Sequence, residues 1–447
     1  MKKKLVITMV ALFVLALSFA LVPKKANAIP AFAQKYHFSC AVCHTVFPNL
    51  NPFGRAFWRN GFRLPGTNGT PADATQIAEG LSLPNPWPIP VMIEGTITYT
   101  HTTNENVSNA TDSFGAGTDI VAGGAYKLYN PFANSMSFYI HYGDSPLKQK
   151  QVVASLNGLG SGFGISPHLF NLKIGQVDTA NAYFDRQEQF YVTAGPNAGN
   201  IQGLNVGYDG EAGALIHARG AGFALYGTPG YHLWYKVTVT NDVAGTSIAL
   251  PSGSGDNAMG YSYQLKEYAP IPMGQLELGY YGATVAEPIG GTAGWTNRVM
   301  VNGVDVDLAN DVYELGLTYM VQSDSNPYAS DGGTLPSGVT DKSNGYSTFE
   351  VYGRYILPVM NNGIMLSADY SQYSWTHKDS QLAYANDQGT LLYGGSSLPG
   401  TTYNGIKDAL DLQAEINLAY NAHLYIGYTL TNQQEEDQFG TGLDFAF

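Results

Sequence analysis

The sequence predicts an all-β protein, a transmembrane antiparallel β-barrel of about 16 strands that follows a small N-terminal domain. From Val91 onward, apolar and polar residues alternate. The alternating segments are roughly 9 to 11 residues long, and the connections between them are alternately tight and long. Only 13% of the 447 residues are charged. Outside the first 22 residues no run is apolar enough to cross a membrane as a helix, which excludes a helical transporter.

Residues 1–28 have the pattern of an export signal. Lys2–Lys4 form a basic end, Leu5–Val22 is apolar, and Ala26–Ala28 is a small-residue cleavage site. An uncleaved membrane anchor is the alternative, but the small residues favour cleavage before Ile29. Removal of this segment leaves 17 basic and 35 acidic residues. A nucleic-acid partner is therefore not expected, because phosphate binding needs clustered positive charge.

Two unlike regions follow the signal. Residues 29–90 are irregular, rich in Pro and Phe, and contain both cysteines, whereas residues 91–447 alternate. A soluble β-sandwich also alternates. The aromatic residues at segment ends, the terminal Phe447, and the contrast between the tight Asn421–Ala422 connection and the long Thr376–Ile406 segment favour an outer-membrane barrel.

The number of strands follows from the length of the second region. About 357 residues at roughly 22 per strand and connection predict about 16 strands, within a range of 14 to 18. Counting strands backward from the C-terminus places Gln322–Asn344 outside the cell, whereas counting forward along the region places the same segment inside. The disagreement indicates one further strand between Ala283 and Asn344, around Asn297–Val304.

The sequence Cys-Ala-Val-Cys-His at residues 40–44 is the motif that indicates a bound cofactor. Two thiols at this spacing can bind both vinyl groups of one haem c, and His44, directly after the second thiol, is placed to bind its iron from the same side. A disulfide between Cys40 and Cys43 and a thioredoxin-like redox pair are the alternatives. Neither requires His44, and a redox pair also expects a βαβ context, which the flanking residues do not supply.

The haem segment is too short to fold alone. Residues 29–64 fall below the roughly 40 residues at which a chain normally holds its own core, so the lumen of a wide barrel is the expected housing. Pro52 and the Asn60-Gly61 pair predict the beginning and end of a short helix. Arg55 and Arg59 lie on one face of that helix, where they either pair with haem propionates or face the lumen.

The motif and its surroundings resemble a known family. Ile29–Ala33, the Cys-Ala-Val-Cys-His motif, Pro48, Leu50, Gly54–Phe57 and Gly61, followed by a barrel, are similar to the fused monohaem cytochrome-porins that oxidise iron at the outer membrane. The motif match covers residues 29 to about 65. The resemblance implies iron(II) as the electron donor, one haem c, a lipid-embedded porin, and a periplasmic c-type cytochrome or other soluble carrier as the acceptor.

The second axial ligand of the haem is not evident from the sequence. The alternate strand positions that carry polar residues are expected to face the lumen, and five of these positions have a side chain that can bind haem iron. These candidates are Met92, His141, His232, Met320 and Met365.

Acidic residues suggest a route for a cation. Six carboxylates lie at the alternate strand positions expected to face the lumen. They would attract a divalent metal ion, although such residues also serve simply to keep a pore filled with water. They are Glu94, Glu277, Glu314, Glu350, Asp369 and Glu415. The run Glu435, Glu436 and Asp437 is expected outside the cell, either to collect iron(II) or simply to be solvated.

Two functional classes remain open from the sequence. In the first, the protein conducts electrons from iron(II) outside the cell to a periplasmic carrier, and its enzyme activity is that of an iron(II) oxidase. In the second, it is a diffusion porin whose haem-bearing plug acts as a gate or sensor. A donor other than iron is a variant of the first class.

Overall fold

The computed structural model describes most of the small domain and all the barrel strands. The described residues are 31–36, 38–46, 49–64, 75–78, 81–83, 89, 91–102, 111–128, 131–143, 151–178, 219–240, 260–288, 296–324, 344–357, 363–375, 408–419, 422–431 and 438–446. The predicted export signal, the acidic run Glu435–Asp437 and the terminal Phe447 lie outside them.

Sixteen antiparallel strands close into one barrel, as the sequence predicted. The last strand pairs with the first, with Leu443 opposite Ile97. The strands are β5 Val91–Thr102, β6 Thr111–Lys127, β7 Ser135–Gly143, β8 Gln151–Asn157, β9 Asn171–Asp178, β10 Arg219–Gly227, β11 Leu233–Thr240, β12 Gly260–Ile271, β13 Gly274–Pro288, β14 Thr296–Ala309, β15 Tyr313–Asp324, β16 Asn344–Leu357, β17 Ile364–Trp375, β18 Asp408–Ala419, β19 Ala422–Thr431 and β20 Gln438–Ala446.

The further strand inferred from the loop count is β14. The alternation of β14 is weak because Val301 faces inward and Asn302 faces outward. Asn302, on the outer face, accepts a hydrogen bond from the Tyr263 hydroxyl at 2.7 Å. With β14 in place, short connections such as 272–273 and 310–312 fall at one end of the barrel, the turn end, and 325–343 falls at the other, the loop end.

The barrel has an apolar outer face and a polar inner face. On β16, Phe349, Val351 and Tyr355 are 36%, 42% and 48% exposed, whereas Glu350 and Arg354 are buried. A soluble protein has the opposite distribution, so the outer face is suited to lipid. Among the described residues, no helix is both long and apolar enough to cross a membrane.

The N-terminal domain consists of short elements. They are α1 (Ala31–Tyr36), a 3-10 turn (Cys40–Val42), the paired strands β1 (His44–Val46) and β2 (Asn49–Leu50), and α2 (Pro52–Arg59). A hairpin of β3 (Thr75–Ala78) and β4 (Leu81–Leu83) follows before the barrel.

Helix α2 begins and ends where the sequence predicted. Asn51 caps its first turn by accepting a hydrogen bond from the Gly54 N–H at 2.9 Å, and Pro52 occupies a first-turn position. Asn60 ends the helix, and its N–H donates to the carbonyl of Ala56 at 3.0 Å.

The described residues between 31 and 64, called the plug below, pack inside the barrel. Phe57, Trp58 and Phe62 form a buried cluster with Ala125 of the barrel strand β6. The Tyr139 ring of β7 packs edge-on against Trp58, with 5.2 Å between ring centroids. The apolar core of the plug therefore includes the barrel wall, which provides the surface that so short a segment lacks.

Candidate functional site

The Cys-Ala-Val-Cys-His segment is held against the beginning of α2. Its 3-10 turn contains a hydrogen bond from Val42 N–H to Ser39 O at 3.1 Å. The Cys43 carbonyl accepts the Asn51 N–H at 2.9 Å, and the Asn51 amide donates to the carbonyl of Val42 at 3.1 Å. The same asparagine thus caps the helix and fixes the turn.

Gly54 lies where α2 approaches this segment most closely. A Cβ atom at residue 54 would overlap the carbonyl oxygen of Cys43. Only glycine allows the helix backbone to come this near. The position of Cys43 is therefore determined by the first turn of α2.

The side chains of Cys43 and His44 are half-buried. Thr45, the next residue, lines a small cleft together with Arg55 and Met365. Met365, one of the five candidate distal ligands, thus lies in the same cleft as Thr45, which directly follows His44. The side chain of Cys40 lies outside the described part of the plug.

Arg55 is the main connection between the plug and the barrel. Its guanidinium group lies 3.1 Å from Asp307 Oδ1, 2.9 Å from Glu314 Oε1 and 3.5 Å from Glu277 Oε1. Burial alone would lower the pKa of Arg55, but the carboxylates of Glu314, Asp307 and Glu277 hold it above its ordinary value. Arg55 is therefore a permanent cation at the centre of three buried acids.

Arg59 extends the same contact one helical turn further. Its Nη2 atom donates to Glu277 Oε2 at 2.9 Å, and its guanidinium carbon lies 5.6 Å from the Trp234 ring centroid and 4.9 Å from that of Tyr268. Both guanidinium groups thus lie in the lumen and contact barrel carboxylates. Their pairing with haem propionates stays a prediction.

Sequence reasoning missed Arg63, which forms a third contact at the turn end. Its Nη2 atom donates to Asn171 Oδ1 at 2.8 Å, and its Nη1 atom donates to the Pro167 carbonyl at 2.9 Å. The four-residue spacing of Arg55, Arg59 and Arg63 was the available signal, although α2 ends before the third arginine.

The hydroxyl of Tyr36 ties α1 to the end of the plug. It donates to the Phe62 carbonyl at 3.2 Å. Burial raises the pKa of Tyr36 to about 12, an increase that Arg63 partly opposes. The hydroxyl therefore remains a donor at neutral pH.

Four of the five candidate distal ligands face the lumen. Met92, His141, Met320 and Met365 are all less than 10% exposed. The prediction that His232 lies on a strand and faces the lumen was wrong. His232 is exposed in the β10–β11 connection, and its Nδ1 atom lies 2.8 Å from the carbonyl oxygen of Gly230, because the strand begins one residue later at Leu233.

All six carboxylates assigned to the lumen by parity are buried and face inward. Glu94, Glu277, Glu314, Glu350, Asp369 and Glu415 are each at most 5% exposed. Sequence reasoning missed Asp119 and Asp307, which are equally buried. Asp307 lies on β14, the strand whose weak alternation hid its parity.

No protein-family model and no curated sequence matches this chain. Its fold, however, is similar to solved porins. OmpF of Salmonella typhi, in complex with daunomycin, superposes with a TM-score of 0.51 at 12% identity, over 80% of this chain and 98% of that one. An anion-selective porin from Comamonas acidovorans has a TM-score of 0.50 at 10% identity, over 80% and 99%. The chain therefore has the fold of an outer-membrane porin.

Proposed function

We propose that this protein is a cytochrome-porin of the outer membrane. It takes electrons from extracellular iron(II) through one haem c and passes them to a periplasmic c-type cytochrome or another soluble carrier. The observation that carries the proposal is a Cys-Ala-Val-Cys-His segment fixed inside the lumen of a porin-fold barrel. A porin that serves only diffusion has no need of such a segment.

The residues present fit a covalently attached haem. The donor set is two thiols and one imidazole at the spacing that c-type attachment requires. Cys40 and Cys43 would hold the porphyrin, and His44 would bind its iron. When bound, the haem supplies reversible one-electron chemistry, which none of the side chains of this motif provides alone.

The plug holds this segment at one side of the membrane. Arg55 and Arg59 bind Glu277 near the beginning of β13, next to the tight turn at 272–273. Short turns of outer-membrane barrels face the periplasm. Electrons would therefore leave toward the periplasmic carrier, while iron(II) would approach from the loop end along an acidic wall.

Location in the outer membrane is supported by the apolar outer face and by the porin fold. Residues 1–28 would direct export and be removed before Ile29. Outer-membrane lipid then solvates side chains such as Leu265 and Leu412, which are 45% and 42% exposed.

The test uses the full chain purified in detergent. We expect one covalently bound haem per chain and, on anaerobic mixing with iron(II), the absorption bands of the reduced haem. A Cys43→Ser variant should fold into the same barrel without the double covalent attachment. Intact haem that iron(II) fails to reduce would overturn the oxidase, and reduction by manganese(II) or sulfide faster than by iron(II) would reassign the donor.

A gated diffusion porin is the second candidate, and one observation favours it. The plug is held in the lumen by noncovalent contacts centred on Arg55, so its release would open the lumen. Under this alternative, Arg55→Ala would raise the single-channel conductance in planar bilayers at constant salt, and the rise would be the same whether or not the haem is reduced.

A further inference from the structure

We propose that Glu94, Asp119 and His141 form a binding site for a divalent transition-metal ion on the inner wall of the barrel. The site is separate from the haem motif. It uses one carboxylate from β5, one from β6 and one imidazole from β7. The assignment of iron(II) as its natural occupant rests on the proposed function, whereas metal binding itself does not.

The three side chains converge because of the strand register. Glu94 and Asp119 are direct partners across β5 and β6. On the next strand, Gly143 is the direct partner of Asp119, and His141 lies two residues before it on the same face. One ligand atom from each of the three residues lies within 4.8 Å of the others, and His141 Nε2 is 3.2 Å from Asp119 Oδ2.

Gly143 is required for this convergence. A Cβ atom at residue 143 would overlap Asp119 Oδ1. The direct partner of Asp119 therefore has to be glycine if the carboxylate is to keep its position. A larger residue would force the carboxylate out of its position.

The charges in the site favour a cation. Glu94 and Asp119 are each 2% exposed, and they face each other across adjacent strands. Like charges directly opposite each other destabilise a sheet, and burial makes their repulsion stronger. A divalent ion between them neutralises both carboxylates at once.

The donor types select the class of ion. Two carboxylates and one imidazole suit first-row ions such as iron(II) and manganese(II), whereas calcium and magnesium prefer oxygen ligands alone. Three protein ligands leave further coordination positions for water. An ion held in this way keeps exchangeable ligands, as a substrate must.

One side chain lies between this site and the plug. The His141 ring is 6.4 Å from the ring of Tyr139, and Tyr139 stacks on Phe62 of the plug at 5.9 Å. An ion at His141 would therefore lie beside the domain that carries the haem motif.

Manganese(II) is the probe, because its electron paramagnetic resonance signal reports the free ion and it can be titrated while the haem stays oxidised. For the full chain in detergent we expect one bound ion. His141→Ala and Asp119→Asn should each weaken binding at least tenfold. Affinity should rise with pH, because a proton on the imidazole competes with the metal.

The matched control is Asp411→Asn, which removes a buried lumen carboxylate outside the site. Unchanged affinity in this variant supports the site. An equal loss of affinity would show that the lumen charge alone attracts the ion, and unchanged binding in His141→Ala would also overturn the proposal. If His141→Ala does not fold, His141→Gln replaces it, because it keeps the side chain polar and of similar size.

Two results distinguish this site from the proposed function. A Cys43→Ser protein without the double covalent attachment should still bind manganese(II), since its ligands are on the barrel. If the wild-type protein binds manganese(II) but iron(II) does not reduce its haem, the proposed oxidase activity is overturned and the proposed metal site stands.

Discussion

Two walls of the same lumen contain buried acids, and they differ in what neutralises them. At the turn end of β13 to β15, Glu277, Asp307 and Glu314 surround the guanidinium group of Arg55. On β5 and β6, Glu94 and Asp119 face the imidazole of His141. The first wall binds a guanidinium group of the plug, whereas the second brings two carboxylates and one imidazole together from three neighbouring strands.

The comparison shows that parity alone does not assign a role to an inward carboxylate. Both walls follow the same alternation along their strands, and both are buried. The role depends on which residues oppose them, and that is determined by how the plug docks and by the strand register. Inward carboxylates thus bind the plug at the first wall, and we propose that they bind a metal ion at the second.

The largest expected effect is at the first wall. Arg55→Ala would leave three carboxylates buried around an empty position, so we expect a loss of about 3–5 kcal/mol in the stability of the docked plug. Proteolysis between the plug and β5 should become rapid. Arg55→Lys, which keeps the charge but loses the bidentate geometry, should show a smaller effect. Equal protease resistance of all three proteins would contradict the role assigned to Arg55.

A second prediction tests how α2 positions the haem motif. Gly54→Ala introduces a methyl group onto the carbonyl of Cys43. Overpacking of this kind destabilises by about 1–3 kcal/mol, so the turn should shift and the yield of covalently bound haem should fall. Haem content per folded barrel is the measurement. Ala56→Gly, on the same helix, is the control for a general loss of helix stability, and an equal loss of haem there would contradict the specific role of residue 54.

A third prediction concerns the helix cap. Asn51→Ala removes the bond to Gly54 and the donor to the Val42 carbonyl. Loss of an N-cap costs about 0.5–2 kcal/mol, and we expect a decrease in haem content smaller than that of Gly54→Ala. Asn51→Asp retains the cap oxygen, although not the amide donor, and should recover part of the loss. If Asn51→Asp recovers no haem content, the loss is due to the missing amide donor to the Val42 carbonyl and not to the helix cap.

The barrel could be predicted from the sequence because lipid imposes a simple rule. Apolar residues face out along every strand, so the alternation in β16 and β18 predicted both faces, and a loop count located β14. The weak alternation of β14 nevertheless hid Asp307, because Val301 and Asn302 reverse the pattern locally.

The site could be predicted only where residues are neighbours in sequence. The spacing of Cys40, Cys43 and His44 is local, and so are the beginning and end of α2. The partners of Arg55 are more than 200 residues away, and no local pattern identifies them. His232 was misplaced because an error of one residue at a strand end moves a side chain to another environment.

The last prediction concerns the direction of a stability change at the second wall. Glu94→Gln removes one of two facing charges, so with a chelator present the barrel should become more stable by about 0.2–1 kcal/mol, the scale of a cross-strand pair. Glu314→Gln, at the first wall, should lower stability because it removes a partner of Arg55. Manganese(II) should stabilise the wild-type protein more than Glu94→Gln, since a ligand bound only to the folded state stabilises it. Urea unfolding of both variants, with and without the ion, measures this. A loss of stability in Glu94→Gln with chelator would show that the second wall is neutralised from within the chain, like the first.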